Sequence, residues 1–148
     1  MIELRIIGVP KPGGSKRAFV AKSGKIAMVD MCKQNREWRN SVIIQAREQY
    51  DGAPLTGPLR IDVSFYMPRP QSHYRTGKHA GRLKDAAPLW HTSKPDVLKL
   101  MRSTEDALTD AGIWRDDALV SEQSIRKYYA VEGRIGAIIT IEQIEGEE

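Results

Sequence analysis

Cysteine occurs once, at Cys32. That count excludes an intramolecular disulfide and a zinc site built from several cysteines. Zinc ligation by histidine is disfavoured too. None of His73, His79 and His91 stands in a His-x-x-x-His spacing or beside a cysteine partner. No apolar run approaches the roughly 20 residues of a membrane-spanning helix, and the opening M-I-E-L-R has no signal-peptide pattern. A reducing cytoplasm and no membrane partner are the expectation. There is no internal repeat and no low-complexity linker. What remains is a chain of 148 residues with a hydrophobic fraction of 41% and a charged fraction of 28%. That is ordinary for one soluble domain large enough to bury a core unaided. The net charge of +4 and pI near 9.3 suit a polyanionic partner, and suit many ordinary proteins equally.

Residues 59–67 alternate Leu59, Ile61, Val63, Phe65 and Met67 against Arg60, Asp62, Ser64 and Tyr66. A period of two predicts a half-buried strand. Further strands are expected over Ile2 to Val9, Glu122 to Val131 and Arg134 to Glu142, the last two arranged around a Glu132-Gly133 turn. Helices are expected over Lys33 to Tyr50, with Trp38, Val42, Ala46 and Gln49 near one face, and over Val97 to Ala111. These elements predict an α+β fold, one mixed sheet with two main helices, in a single domain over 1–148. Lys11 to Val20 reads as a loop. Its Gly13 and Gly14 permit close backbone approach, and Lys16 and Arg17 supply charge for a phosphate. The spacing of a Walker loop is absent, and a plain basic hairpin fits as well. From Pro68 to Pro95 no periodicity survives. Arg69, Arg75, Lys78, Arg82 and Lys94 interleave there with Tyr74 and Trp90. A long basic and aromatic segment suits a nucleic-acid clamp that orders on binding; a solvated insertion is the alternative.

The most informative stretch is Lys94 to Val120. Val97, Leu100, Met101, Thr104, Ala107, Leu108 and Ala111 form a core stripe. Asp96 opens this helix, and its flank carries Leu98, Lys99, Arg102, Glu105 and Asp106. Gly112 closes it, and Asp116 and Asp117 follow. Carboxylates gathered beside basic side chains are what a hard divalent cation needs when the substrate is a phosphodiester. Structural roles compete. Ser93-Lys94-Pro95-Asp96 fits a capping box in which Ser93 caps the helix, and Asp116 and Asp117 fit a turn.

The run K-P-D…L…R…DALTDAGIWRDDALV resembles the signature of the RusA family of Holliday-junction resolvases, the crossover junction endodeoxyribonucleases carried largely by phages and prophages. The early G-V-P-K-P-G-G-S-K-R resembles that family's N-terminal loop, and the basic segment ending at His91 resembles its larger phage members. The resemblance implies a RusA-like nuclease domain, dependent on Mg²⁺ (or Mn²⁺). It also implies a homodimer that resolves four-way DNA junctions by paired symmetric nicks during recombination and repair, in the host cytoplasm if phage-encoded. It makes Asp96 and Asp117 metal-binding aspartates, Asp116 the paired neighbour of Asp117, and Arg102 the basic catalytic residue; Asp116 becomes a substitute ligand if its turn folds inward. Lys99 and Lys94, with the loop cations Lys16, Arg17, Arg69, Arg75, Lys78 and Arg82, become the DNA-gripping set. One position departs from the pattern: Leu98 stands where the family's second aspartate falls. A junction-binding protein without catalysis is therefore the competing expectation, and a basic structural protein a third.

Overall fold

The computed structural model describes residues 1–14, 23–24 and 35–145, together with the backbone of 16–20 and 26–30. Cys32, the expected helix start at Lys33 and the last three residues of the tail lie outside the described residues. In chain order the elements are β1 (Ile2–Ile7), β2 (Lys16–Val20), β3 (Ile26–Asp30), α1 (Arg36–Gln49), β4 (Leu59–Met67), α2 (Val97–Asp110), β5 (Val120–Tyr129) and β6 (Gly136–Gln143). Strands β2 and β3 form an antiparallel hairpin, so the stretch read as a loop to Val20 becomes strand from Lys16. The other four strands form one mixed sheet in the order β1-β6-β4-β5.

β4 is central because its alternation serves it there. Leu59, Ile61, Val63, Phe65 and Met67 all point into the core, where they meet Leu4 and Ile6 of β1 and Ala137, Ile139 and Ile141 of β6. The two C-terminal strands exist as expected, but they do not pair around their turn. β4 lies between them, parallel to β5 and antiparallel to β6. The turn therefore has to clear one strand, about 10 Å at two sheet spacings. It reverses through Glu132 and Gly133, both at positive φ. Gly136 then enters β6 where a Cβ would lie 1.9 Å from the Ile6 carbonyl oxygen, so no other residue fits that approach of the backbones.

Both helices pack on this core. α1 contributes Trp38, Val42 and Ala46, and α2 contributes Leu100, Met101, Ser103, Thr104, Ala107 and Leu108. The Trp38 indole N–H, buried with its ring, donates to Thr104 Oγ1 at 3.0 Å, which spares the cost of an unmade hydrogen bond. Gln49, expected among the core residues of its helix, serves the sheet edge instead. Its amide accepts from the Arg5 N–H and donates to the Arg5 carbonyl, each at 2.7 Å. Gln45 does the same for Ile7.

Candidate active site

Helix α2 organises the site. Its inward stripe matches the periodicity, with Ser103 added to it, and its outward flank carries Leu98, Lys99, Arg102, Glu105 and Asp106. Leu98 is 64% exposed, so it sits outside the core as its phase requires. The N-terminal loop is laid against this flank. The Gly13 N–H donates to the Lys99 carbonyl at 2.7 Å, and the Ser103 hydroxyl donates to the Lys11 carbonyl. A Cβ on Gly13 would come within 3.3 Å of Arg102 Cβ and 3.1 Å of the Ser103 nitrogen. The close approach that the two glycines promised is thus to the helix. It places Gly13, three residues before the start of β2 at Lys16, next to Arg102.

The capping box does not form. Asp96 itself is the N-cap residue, and its carboxylate makes no capping hydrogen bond. The Ser93 hydroxyl lies 3.3 Å from His91 Nε2 instead. Lys127 of β5 ties this entry down, donating to the carbonyls of Ser93 and Pro95. Burial holds the Lys127 amine below its ordinary range, and the Asp96 charge works against that shift. Asp96 keeps an exposed carboxylate 3.9 Å from Lys99 Nζ.

At the other end of α2 the carboxylates gather. Asp117 lies in a 3-10 turn over Asp117–Leu119, and the Asp116 carboxylate accepts from the Ala118 N–H at 2.9 Å. The turn reading is therefore realised for Asp116. Asp117 is pushed up by burial, then by its hydrogen bond to Asp116 and by the charges of Asp116 and Asp106. Glu105, half-buried, is pushed up to about 7 by burial first and then by repulsion from Asp117 and Asp106. Four acidic side chains thus share a small region with no basic side chain in an ion pair with Glu105, Asp106, Asp116 or Asp117 among the described residues. Asp96 is not among them. Residues 96 and 106 are about 15 Å apart along the helix axis at 1.5 Å per residue. Within one chain the structure brings Asp116 and Asp117 together with Glu105 and Asp106, and leaves Asp96 with Lys99 and Lys127. Among the described residues no three histidine, cysteine, aspartate or glutamate side chains form a ready metal cage.

The basic residues divide by what they already do. Arg69 is committed to the fold. It donates to the carbonyls of Ala130 at 2.8 Å and Pro88 at 2.7 Å, and its guanidinium lies 5.3 Å from the centre of the Tyr129 ring. His73 and His91 meet the same ring edge-on at 4.7 and 4.8 Å. Burial, and then the Lys127 charge, keeps His91 below the usual histidine range. This cluster anchors the 68–95 segment, which has 3-10 turns at Gln71–His73 and Gly77–His79 and a bridge from Tyr74 to Leu83. The segment expected to order on binding thus has its own framework. Arg75 pairs with Asp85 at 2.9 Å. Lys78, Arg82, Lys94 and Arg102 are exposed, and none is in an ion pair among the described residues. Lys16 and Arg17 begin β2, and their side chains lie outside the described residues.

The helical spacing puts Glu105 and Asp106 on the flank of α2 but does not say what they meet. Their meeting with Asp117 depends on the path from Gly112 to β5, which no local pattern encodes. Lys127 was missed for the same reason.

The fold and site define a small α+β protein whose central helix carries exposed cations and leads, through a tight turn, to a carboxylate cluster. The profile of the family described as endodeoxyribonuclease RusA matches residues 10–142, and the chain belongs to that family. It is also 29% identical over 138 residues to "Uncharacterized protein YqaN" of Bacillus subtilis (strain 168), a match covering 93% of this chain and 94% of the relative. No helix among the described residues is long and apolar enough to cross a membrane.

Proposed function

We propose that this protein is a divalent-metal-dependent, structure-selective DNA endonuclease that resolves four-way junctions by paired symmetric nicks, acting as a homodimer in recombination and repair. The observation that carries the reading, beside family membership, is the group of acids around Asp117. Glu105 is half-buried and Asp117 sits against Asp116 and Asp106, without a basic partner in an ion pair among the described residues. Folding charges together in this way costs stability, and such perturbed carboxylates mark functional sites. Their chemistry fits Mg²⁺ or Mn²⁺. These ions take oxygen donors, and Mg²⁺ is commonly held by one or two carboxylates plus the phosphate of the substrate instead of by a complete protein cage. Asp117 and Asp116 would hold the ion, with Asp96 the further ligand that the family pattern assigns. Bound there, a divalent cation supplies charge neutralisation at a scissile phosphate and a more acidic water.

The chain's own residues do the rest. Arg102 and Lys99 project from the exposed flank of α2 and would hold the phosphate and balance charge on the leaving oxygen. Lys78, Arg82 and Lys94, with Lys16 and Arg17 of the hairpin, would grip backbone phosphates and supply salt-dependent affinity. Arg69 and Arg75 contribute by shaping the segment that carries the others. A C2 dimer would present one such site to each of two symmetry-related strands, giving paired cuts.

A second reading has its own observation. Leu98 presents an exposed methyl-bearing side chain where the family pattern has an aspartate, and Asp96 stands about 15 Å along the helix from Asp106. A junction-binding protein without catalysis would look like this. Incubating the protein with a labelled four-way junction and a linear duplex, with Mg²⁺, Mn²⁺ or EDTA, separates the two. Symmetric nicks in the junction alone, lost in EDTA, support the nuclease. Junction binding with no metal-dependent cleavage supports the second reading.

A further inference from the structure

The sheet face opposite the helices carries a cavity that the cleavage site does not use. Its volume is about 550 Å³, within the range of small-molecule sites. Its walls are the ring of Tyr66, the side chains of Ile7 and Ile138, and the cations Arg5 and Arg134. Among the described residues no carboxylate lines it. Arg134 has no ion pair among the described residues, and Arg5 has only a 3.7 Å contact with Glu3, both of them exposed. The cavity is thus apolar below, aromatic on one side and cationic at its rim.

The aromatic wall continues beyond the cavity. Tyr66 stacks on Tyr128 with ring centres 5.7 Å apart and planes 30° apart, and Tyr128 meets Trp90 at 4.6 Å. Trp90 is 55% exposed. Register explains the row: Ile7, Gly136, Tyr66 and Tyr128 are successive partners across the sheet, and Trp90 bridges to Tyr128. From Trp90 the chain runs directly through His91 and Pro95 to Asp96, the start of α2. A ladder of rings therefore leads from the cavity to Trp90, on the segment that runs into Asp96.

We propose that this cavity receives an unpaired nucleotide of the DNA substrate, its base stacked on Tyr66 and its phosphate held by Arg5 and Arg134. The proposal rests on the DNA-nuclease reading above and extends it, since a protein that opens base pairs at the strand-exchange point of its substrate needs a place to hold the freed base. An aromatic face accepts any base, and guanidinium groups hold the phosphate beside it. The bare Gly136 keeps the floor of the cavity low where β1 and β6 touch.

Fluorescence anisotropy with a short labelled oligothymidylate and a duplex of equal length tests this, using Arg134→Ala, Arg5→Ala and Tyr66→Leu, with Arg36→Ala on α1 as the charge-matched control. The three cavity variants should weaken single-strand binding roughly three- to tenfold, the loss of about one stacked base or one phosphate contact. Duplex binding should change less than twofold, and the control should change both equally and slightly. Arg134 is an exposed turn residue, so its variant tests the site even if Tyr66→Leu folds poorly. Unchanged single-strand affinity in Arg134→Ala and Arg5→Ala, in a protein that still cuts or binds junctions, overturns the cavity and leaves the nuclease reading standing. A wild-type protein that binds no DNA overturns both. Competition by thymidine monophosphate as effective as by the oligonucleotide would make the cavity a free-nucleotide site, against the proposal. A changed molar mass of Arg134→Ala in light scattering would make this face a contact between chains, and would also overturn it.

Discussion

Glu105→Gln should make the protein more stable, and only above a definite pH. The carboxyl is pushed from 4.5 to about 7 in the folded protein by burial and by the charges of Asp117 and Asp106. For an acid the sign runs against stability. Below pH 4.5 the group is protonated in both states and costs nothing. Between 4.5 and 7 the unfolded chain releases a proton that the folded chain keeps, so stability falls as pH rises. Above 7 the penalty is complete. A shift of this size, at 1.36 kcal/mol for each unit, sets a ceiling of about 3.4 kcal/mol. Solvent screening at a half-buried side chain brings the expected gain to about 1–2 kcal/mol. For a chain of this length that corresponds to a rise in Tm of roughly 3–6 °C. Thermal unfolding followed by circular dichroism, for both proteins at about pH 4, 6 and 8, should show coincident curves at the lowest pH and the full gap at the highest. Millimolar Mg²⁺ should narrow that gap by stabilising the native acid cluster. A gap of the same size at every pH, or a variant less stable at high pH, would refute the reasoning. Either result would mean that Glu105 is held by something other than its charged neighbours.

Asp117→Asn should abolish junction cleavage in a gel assay while junction affinity stays within about twofold, because an amide keeps the shape without the charge a hard cation needs; coupled loss of folding and binding would favour a structural role. Asp96→Asn should cost under about 0.5 kcal/mol in chemical denaturation, since its carboxylate makes no capping hydrogen bond. Leu98→Asp should fold normally, its side chain being 64% exposed, and should raise divalent-ion affinity in titration calorimetry or speed cleavage; a folded variant with neither gain, alongside an Asp116→Asn that has lost cleavage, would show that Asp116 already does this work. Neutralising Lys78 and Arg82 together should reduce the slope of log affinity against log salt by about 2, and adding Arg75, already paired with Asp85, should reduce it little further.

The parts legible in the sequence were those whose cause is local. The period-two alternation from Leu59 to Met67 and the helical stripe from Leu100 to Leu108 each state which face is buried, and both hold in the fold. Leu98 lies outside its stripe and is exposed. The losses came where distant segments compete for one partner. The strand after Asp117 and the strand after Gly133 look like a hairpin, yet both take β4 as their neighbour, because β4 has two edges to satisfy and the most apolar inner face. Ser93 and Asp96 match a capping pattern, but Lys127, about thirty residues on, claims the carbonyls at that helix entry and draws the segment aside. Arg69 reads as one more loop cation, and only the path of the chain past Tyr129 and Ala130 turns it into a brace. Family membership rests on the central motif and most of the chain's length, as the resemblance implied, whereas the meeting of Glu105 with Asp117 depends on a return path that the motif does not spell out.

Gln45 and Gln49 have a consequence for the company this molecule keeps. A glutamine side chain ends in an amide, in effect a peptide group on a stalk, and two of them one helical turn apart imitate a short length of neighbouring strand. β1 therefore has a counterfeit strand on its outer side, supplied by its own helix, and its Arg5 and Ile7 backbone groups have nothing left to offer a stranger. Sheets with bare rims recruit other chains and grow into aggregates. On this side the growth is stopped by chemistry, without a bulky cover, at the cost of holding two side chains still. A protein that exposes a cationic surface and an aromatic ladder can tolerate that exposure the better because this rim has already been answered from within.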